Sequence, residues 1–290
     1  MDDNKNKEEI NMNENNEQKS EEIYTIQDAS LEERLAANNT PVQTAEVDNT
    51  ATNVVEENGR LKLVVQDDYY YDKAPCDGDL FAIYFIADTF NLLEDKSDLL
   101  GALLLTWLKN DKVKMTQKKT LFGKLINVLH FSDYTGFESI LESEAYELLS
   151  SASKNYELSK KDFDKWANKN KQEINIFFSR VLAHEKERYI GEGLISCKDP
   201  NVQATGTTKN EELIFGNQLI ESAKQILGFS RYMKNYVQIC NSNPDTKWID
   251  AETWRSYLLV AEVLGVPEAV RKTFNEIYKN FDFFYYKSNK

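Results

Sequence analysis

The sequence predicts a mainly α-helical fold with one small β-hairpin, built as a winged-helix-like module followed by a helical bundle. Three observations lead to this prediction. Apolar residues recur at helical spacing over most of the chain after residue 137. Before that point, two helical segments flank an acidic turn, and two segments of alternating pattern, 112–119 and 124–131, follow them. Helix, turn, helix and hairpin in this order are typical of a winged-helix module.

The N-terminal part of the chain carries most of the negative charge. The formal net charge is −13 over 290 residues, and residues 1–60 contribute −10 of it, so the remainder is nearly neutral. Residues 1–60 contain no Phe or Trp and are rich in Asn, Glu and Gln, a composition that buries too little apolar surface to offset the entropy of ordering. We expect a disordered acidic tail over 1–60, with local order on a partner only at 23–26 and 31–37.

Counting residues excludes several classes of protein. The longest apolar runs, 80–87 and 99–108, are much shorter than the roughly 20 residues of a membrane-spanning helix. The acidic N-terminus lacks the basic and apolar regions of a signal peptide. Cys76, Cys197 and Cys240 are odd in number and have no CxxC spacing, which argues against disulfides and a zinc site. The expected location is therefore cytoplasmic.

The winged-helix-like module is expected at 61–135. A β-like run at 60–66 precedes a helix over 79–90. A second helix is expected over 97–109, with Ser97 as its N-cap. The two alternating segments then form the hairpin, around a Leu-Phe-Gly turn.

A helical unit is expected next, at 136–195. Ser159 and Asp162 have the spacing of a capping box that opens one of its helices. Gly191 and Gly193 end the helical pattern of another. No strand is expected after residue 137.

The C-terminal helical unit is expected at 209–290, after a polar linker at 196–208. Its first helical segment is expected over 210–227. Gly265, followed two residues later by a proline, predicts that one helix ends and the last one begins there.

Two segments resemble the C-terminal signature of the YciQ-like predicted bacterial membrane proteins, a family of unknown function. They are GFSRYMKNY at 228–236 and WRSYLLVAEVLGVPEAV at 254–270. The positions that match the signature are Gly228, Phe229, Arg231, Tyr232, Trp254, Tyr257, Leu258, Ala261, Leu264, Gly265 and Val266. Upstream, DLLGALLLTWLKNDKVKM at 98–115 is similar to a helix-then-strand stretch of the same family.

The resemblance covers about residues 68–283. It implies a cytosolic region made of winged-helix-like and helical units, normally attached to transmembrane helices and to an outer β-rich domain. The hydrophobic spans of that family are missing from this chain, which implies either a soluble derivative of the cytosolic region or a chain whose acidic tail replaces the membrane anchor. The signature residues are expected to be structural.

No constellation of residues identifies a reaction. His130 and His184 are the only histidines, and the HEKER sequence around His184 lacks the second histidine of an HExxH zinc site. Neither of the glycine-rich nucleotide-binding loops is present in the sequence. Asp67, Asp68 and Asp72 lack calcium-loop spacing and are expected to be a solvated turn. We predict no catalytic, cofactor-binding or metal-binding residue.

A lysine cluster is the strongest candidate for a functional site. Residues 109–124 carry six lysines and one acid, Asp111, a net charge of +5. The lysines are Lys109, Lys112, Lys114, Lys118, Lys119 and Lys124. Lys112, Lys114 and Lys118 are expected to point the same way along one strand. The alternatives are an ordinary solvated hairpin, or contact with nucleic acid, anionic lipid, an acidic partner or the acidic tail.

The sequence favours a non-enzymatic interaction or scaffold protein over its alternative, a winged-helix nucleic-acid-binding protein. A recognition helix presents polar side chains to base edges, whereas residues 99–108 are apolar almost all round. The expected partner is a protein. The family resemblance implies that this partner is anchored in the membrane, and the chain would then lie peripheral to the inner face of the membrane. No small-molecule substrate is indicated.

Overall fold

The computed structural model describes residues 53–57, 60–120, 123–137, 139–242, 249–266, 268 and 270. The helices in these ranges are α1 (Leu80–Thr89), α2 (Leu99–Lys109), α3 (Ile140–Ser151), α4 (Lys160–Lys169), α5 (Lys171–Gly191), α6 (Asn217–Ser242) and α7 (Ala251–Leu264). The strands are β1 (Asn53–Glu57), β2 (Arg60–Val64), β3 (Lys114–Lys119), β4 (Leu125–His130), β5 (Glu157–Ser159), β6 (Ile195–Cys197) and β7 (Leu213–Phe215). The described residues are therefore mainly helical, as the sequence predicts, but they form three small antiparallel sheets where one hairpin was expected. Most of the acidic tail and of the last predicted helix lies outside them.

Helix α1 is central to the described fold. It packs against α2, α5, α6 and α7. Its first turn is capped by Asp79, whose Oδ1 accepts hydrogen bonds from the backbone N–H groups of Phe81 and Ala82 at 3.0 and 3.1 Å. Ile83 and Ile86 are completely buried, as expected for a helix that is surrounded by other elements and is apolar on most sides. The predicted helix at 79–90 is confirmed.

Helix α2 begins one residue later than predicted. Asp98 is the N-cap, and its Oδ1 accepts a hydrogen bond from the N–H of Gly101 at 2.7 Å. Ser97, the predicted cap, instead donates its hydroxyl to the carbonyl of Val263 at 2.6 Å. A long-range contact thus diverts the residue that local sequence favours as a cap.

The predicted hairpin forms from β3 and β4, although the residues at 121–122 in its turn lie outside the described ranges. A third strand, β5, pairs with β4, so the prediction of no strand after residue 137 is wrong. Ser159 ends β5 and also caps α4, since its Oγ accepts from the N–H of Asp162 at 3.2 Å. Ser159 is thus confirmed as the cap, although the Asp162 carboxylate accepts from its hydroxyl and not from its backbone N–H as in a full capping box, and the serine also belongs to a strand.

Strands β6 and β7 change the interpretation of residues 196–208. The predicted linker begins inside β6, and the helix expected from 210 begins only at Asn217, because Leu213–Phe215 pairs with β6. Ile195 and Leu213 are buried and give this pairing its apolar side. The intervening loop is held to α5, where Lys186 donates to the carbonyl of Thr208 at 2.9 Å.

Strand β1 lies within the range predicted to be disordered. Asn53–Glu57 pairs in register with Arg60–Val64, so the prediction for 1–60 is wrong at residues 53–57 and 60. Leu63 is buried, and Val54 and Leu61 pack against the core. This contact with the core supplies the apolar burial that the composition of the segment alone does not suggest.

Helices α6 and α7 hold an aromatic core. The rings of Phe229 and Tyr257 lie edge to face with centroids 5.1 Å apart, and those of Tyr236 and Trp254 do so at 5.2 Å. Asp250 caps the start of α7, and Gly265 ends it in a left-handed conformation, so the predicted helix end at Gly265 is confirmed. No helix within the described ranges combines the length and the apolar character needed to cross a membrane.

Candidate functional site

The β3–β4 register decides which way each lysine of the hairpin points. Lys114 lies opposite His130, Lys118 opposite Ile126 and Lys119 opposite Leu125. Because side chains alternate along a strand, Lys114 and Lys118 share one face and Lys119 lies on the other. The hairpin therefore carries positive charge on both faces.

Lys109 and Lys112 are engaged by acidic residues of neighbouring helices. Lys109, at the end of α2, forms an ion pair with Glu252 of α7. Lys112 precedes β3, and its Nζ lies 2.9 Å from Oε1 of Glu142 on α3 and 4.7 Å from the ring centroid of Phe137. Only 16% of the Lys112 side chain is exposed. The expectation that Lys112 points the same way as Lys114 along the strand is wrong, because tertiary packing draws it towards α3.

Lys118 is partly neutralised by the third strand. Its Nζ lies 2.5 Å from Oε1 of Glu157 on β5, and this hydrogen bond lowers the pKa of the Glu157 carboxyl. Nδ1 of His130 lies 3.8 Å from the same carboxylate, and Nε2 of His130 lies 2.6 Å from the hydroxyl of Thr116. His130 thus takes part in a polar network on the sheet surface.

Lys114, Lys119 and Lys124 remain, and we call these three residues the lysine surface. All three are exposed, and no ion pair joins any of them to a carboxylate of the described residues. Next to Lys124 in sequence, the side chain of Leu125 is 53% exposed. Of the six predicted lysines, three therefore have no carboxylate partner among the described residues, and two of these, Lys119 and Lys124, lie beside the apolar side chain of Leu125.

Helix α2 offers little to a ligand. Leu99, Leu100, Leu103 and Trp107 are buried, and no side chain over 99–108 is fully exposed. Half of residues 99–108 are buried and the other half are partly exposed. The hairpin thus follows a helix that presents mainly partly covered apolar side chains.

A second polar cluster was not found from the sequence. Arg188 of α5 lies with Nη1 3.0 Å from Oδ2 of Asp79 and Nη2 2.7 Å from Oε2 of Glu185. Burial raises the pKa of Glu185 in spite of the opposing charge of Arg188. Burial by itself would lower the pKa of Arg188. The hydrogen bond to Asp79 and the charge of Glu185 have the larger combined effect and raise the pKa of Arg188. Asp79 and Arg188 are far apart in the chain, and no local pattern would have connected them.

This cluster borders a cavity of about 210 Å³ that Cys76 also lines. Burial raises the pKa of the Cys76 thiol to about 12, so the thiol is protonated at neutral pH and is a poor nucleophile. Arg188 is already surrounded by Asp79, Glu185 and, at 3.9 Å, Glu192. We interpret the cluster as a structural link between the start of α1 and α5.

The other residues considered from the sequence lie apart from these clusters or at their edges. His184 is exposed, with Nδ1 3.5 Å from Oε1 of Glu185. Asp67 is fully exposed, 3.6 Å from Nη2 of Arg231, and Cys197 is a free thiol. Within the described part of the chain, no group of three or more His, Cys, Asp and Glu residues is arranged to hold a metal ion.

The signature residues lie mostly in the core between α6, α7 and the segment that follows β2. The buried members are Gly228, Phe229, Tyr232, Trp254, Tyr257, Leu258, Ala261, Leu264, Gly265 and Val266. Arg231 donates to the carbonyl of Gln66 at 2.5 Å, and Tyr257 donates its hydroxyl to the carbonyl of Asp72. A side chain on Gly228 would place its Cβ 2.5 Å from Cε1 of Tyr69, which explains the glycine by close packing.

No known protein matches this chain in comparisons with protein-family models, curated proteins and solved structures. The resemblance to the YciQ-like family therefore stays a prediction.

Proposed function

We propose that this chain is a non-enzymatic interaction protein that contacts an acidic partner through the lysine surface. The observation that carries the proposal is the division of the lysine cluster. Lys109, Lys112 and Lys118 have carboxylate partners within the fold, whereas Lys114, Lys119 and Lys124 have none among the described residues. These three exposed cations lie on one hairpin, Lys119 and Lys124 near its turn and Lys114 at the other end of β3, and they offer charge that an acidic partner can neutralise.

The expected affinity of such a surface is modest. An exposed ion pair contributes on the order of 0.2–1 kcal/mol, and salt screens it over a Debye length of about 10 Å at 0.1 M ionic strength. Binding should therefore weaken as salt is added. The exposed side chain of Leu125 adds an apolar contact that salt does not weaken.

The partner that fits best is a protein. The family resemblance favours a membrane-anchored protein and a location peripheral to the inner face of the membrane. Anionic lipid headgroups offer the same kind of charge as an acidic protein, and their binding is an outcome that the experiment below distinguishes.

The alternative is a winged-helix nucleic-acid-binding protein with the hairpin as its wing. The order α1, α2, β3 and β4 favours it, since a winged-helix module has two helices followed by a hairpin. Helix α2 argues against sequence-specific binding, because half of residues 99–108 are buried and Thr106 is the only polar side chain among the partly exposed ones, so little is available to read base edges. A basic wing alone supports only contacts to phosphate, which carry no sequence information.

Charge reversal tests the proposal. The variant Lys114→Glu, Lys119→Glu, Lys124→Glu should bind a fluorescein-labelled decaglutamate peptide about ten-fold or more weakly than the unaltered chain at low salt, since attraction becomes repulsion at three sites. The matched control is Lys161→Glu, Lys169→Glu, Lys171→Glu, which changes the net charge equally at exposed positions on α4 and α5. The control should retain most of the binding.

Three outcomes contradict the proposal. One is that the unaltered chain fails to bind the peptide at low salt, and another is that both triple variants lose binding equally. The third is a preference for a 20-base-pair DNA duplex, or for vesicles of anionic lipid, over the peptide with the same dependence on Lys114, Lys119 and Lys124. That outcome would support the nucleic-acid alternative or a lipid partner.

A further inference from the structure

Strand β3 has an outer edge with no strand paired to it. The sheet order is β3–β4–β5, so β3 pairs only with β4 within the described part of the chain. An edge strand presents N–H and C=O groups that can pair with another extended chain. The register of the hairpin shows which residues present them.

The backbone groups of Met115, Gln117 and Lys119 point to the open edge. Thr120 donates its N–H to the carbonyl of Lys124 at 2.8 Å, in continuation of the β3–β4 register. Hydrogen-bonded and non-hydrogen-bonded pairs alternate in an antiparallel ladder, so the even-numbered residues of β3 bond to β4 and the odd-numbered ones face away. The opposite side of β4 agrees, because Phe131 donates to the carbonyl of Tyr156 towards β5.

These outward groups have no backbone hydrogen-bond partner among the described residues. No backbone hydrogen bond from other described residues reaches Met115, Gln117 or Lys119 from outside the hairpin. The one-to-one register from Lys114 to Lys119 contains no bulge, and the strand contains no proline. An edge of six residues, about 20 Å long, is therefore free to pair with another strand.

The positive charge of β3 determines which kind of extended chain can pair with its open edge. Lysines on an edge strand oppose pairing with a second copy, because β3 against β3 would place lysines close to lysines. An extended chain with acidic side chains would be attracted to this edge and not repelled from it, since it can place carboxylates beside Lys114, Lys118 and Lys119. Charge complementarity thus favours one class of occupant.

We infer that the open edge of β3 binds an extended acidic peptide segment of a partner protein by strand addition. The main chain of the peptide pairs with Met115, Gln117 and Lys119, and its Asp and Glu side chains contact the lysines. The inference rests on the proposed function, because it specifies how the lysine surface holds an acidic partner. It also gives the outward backbone groups of β3 a role in binding, whereas attraction between charges alone would not involve them.

Amide exchange tests the inference directly. The probe is a capped eight-residue peptide with the repeat Glu-Glu-Val-Val, which places glutamates on both faces of an extended chain, added to the full chain at low salt. Binding should slow the hydrogen exchange of the amides of Met115, Gln117 and Lys119, while those of Thr116 and Lys118, already bonded to β4, should change little. Peptide binding without slower exchange at the three outward amides would overturn strand addition and leave the proposed function standing.

Two variants give an independent readout by fluorescence anisotropy. Gln117→Pro removes one outward N–H without removing a bond to β4, and it should weaken peptide binding about five-fold relative to Gln117→Ala. If Gln117→Pro unfolds the hairpin, the same comparison is made with a peptide N-methylated at every residue, which keeps its charge and should bind at least about ten-fold more weakly. Equal binding of the methylated and unmethylated peptides would contradict the inference. The proposed function itself would be contradicted if the unaltered chain did not bind the peptide, or if reversing the charges of Lys114, Lys119 and Lys124 left its binding unchanged.

Discussion

Neighbouring lysines in this chain differ because of residues far away in the sequence. Lys112 and Lys114 are two positions apart, yet the first is mostly buried against Glu142 and the second is exposed. Likewise, Lys118 meets Glu157 on β5 while Lys119 points to the opposite face. Charge counted along a sequence window therefore overestimates the charge that a surface offers to a ligand.

Gly265 is the residue at which the backbone most clearly requires glycine. Its φ is +85°, and a Cβ there would lie 2.7 Å from the backbone nitrogen of Ser97. A left-handed conformation costs other residues roughly 1–2 kcal/mol, and the contact with Ser97 adds to this. We expect Gly265→Ala to lower the free energy of unfolding by about 2 kcal/mol or more, as measured by urea denaturation.

The control for this substitution is Gly191→Ala. Gly191 ends α5, and nothing lies within 4 Å of a Cβ placed there. Alanine in a helix is favoured over glycine by about 0.5–1 kcal/mol, so this variant should be as stable as the unaltered chain or slightly more so. Equal free energies of unfolding for the two variants would show that alanine is tolerated in the left-handed conformation at position 265.

At the scale of elements, the start of α1 joins two kinds of interaction at one residue. Oδ1 of Asp79 caps the helix, while Oδ2 forms the ion pair with Arg188 of α5. The turn before it contains Cys76 and Asp77, each with a φ of +50°, an arrangement that neighbouring structure must hold in place. Asp79 therefore fixes both the start of α1 and its position against α5.

Two substitutions at Asp79 separate these roles. Asn at this position keeps an oxygen that can cap the helix but loses the charge that meets Arg188, whereas Ala loses both. We expect Asp79→Ala to be less stable than Asp79→Asn by about 1 kcal/mol, the usual value of an N-cap. Equal free energies of unfolding for the two variants would show that the cap contributes nothing.

At the scale of the whole molecule, the boundary of the folded body is set by burial and not by charge. Residues 53–57 belong to an acidic, polar range, yet they form β1 because Val54 packs against the core. Val55 faces the other way and is 42% exposed. These adjacent valines provide a matched pair of positions.

We predict that Val54→Asp lowers the free energy of unfolding by about 2 kcal/mol more than Val55→Asp does. The first substitution places a charge against apolar side chains, whereas the second leaves it in solvent opposite Lys62. The poor strand propensity of Asp affects both variants alike, so the difference reports the burial of Val54 together with the attraction of a carboxylate at position 55 to Lys62. Similar thermal denaturation curves for the two variants would show that β1 is not part of the folded body.

Elements with strong local signals could be predicted from the sequence. Helix α1 has an apolar run after a capping Asp79, α4 follows the Ser159 capping box, and α7 lies between Asp250 and Gly265. Short strands could not be predicted in the same way, because three residues such as Leu213–Phe215 are too few to show a period and become a strand only by pairing with a distant partner. The exception is β1, where Asn58-Gly59 between two apolar runs is a hairpin signal that the acidic composition of the range hid.

The sequence by itself determined the predominance of helix, the position of the β3–β4 hairpin and the concentration of lysine along it, because each depends on residues close together in the chain. Only the tertiary structure decided which lysines remain available, since Glu142, Glu157 and Glu252 reach the cluster from α3, β5 and α7. It likewise decided that α2 is covered and that the edge of β3 is open. The physical reason is the same in each case: neutralisation, burial and strand pairing are made between segments that lie far apart in the sequence.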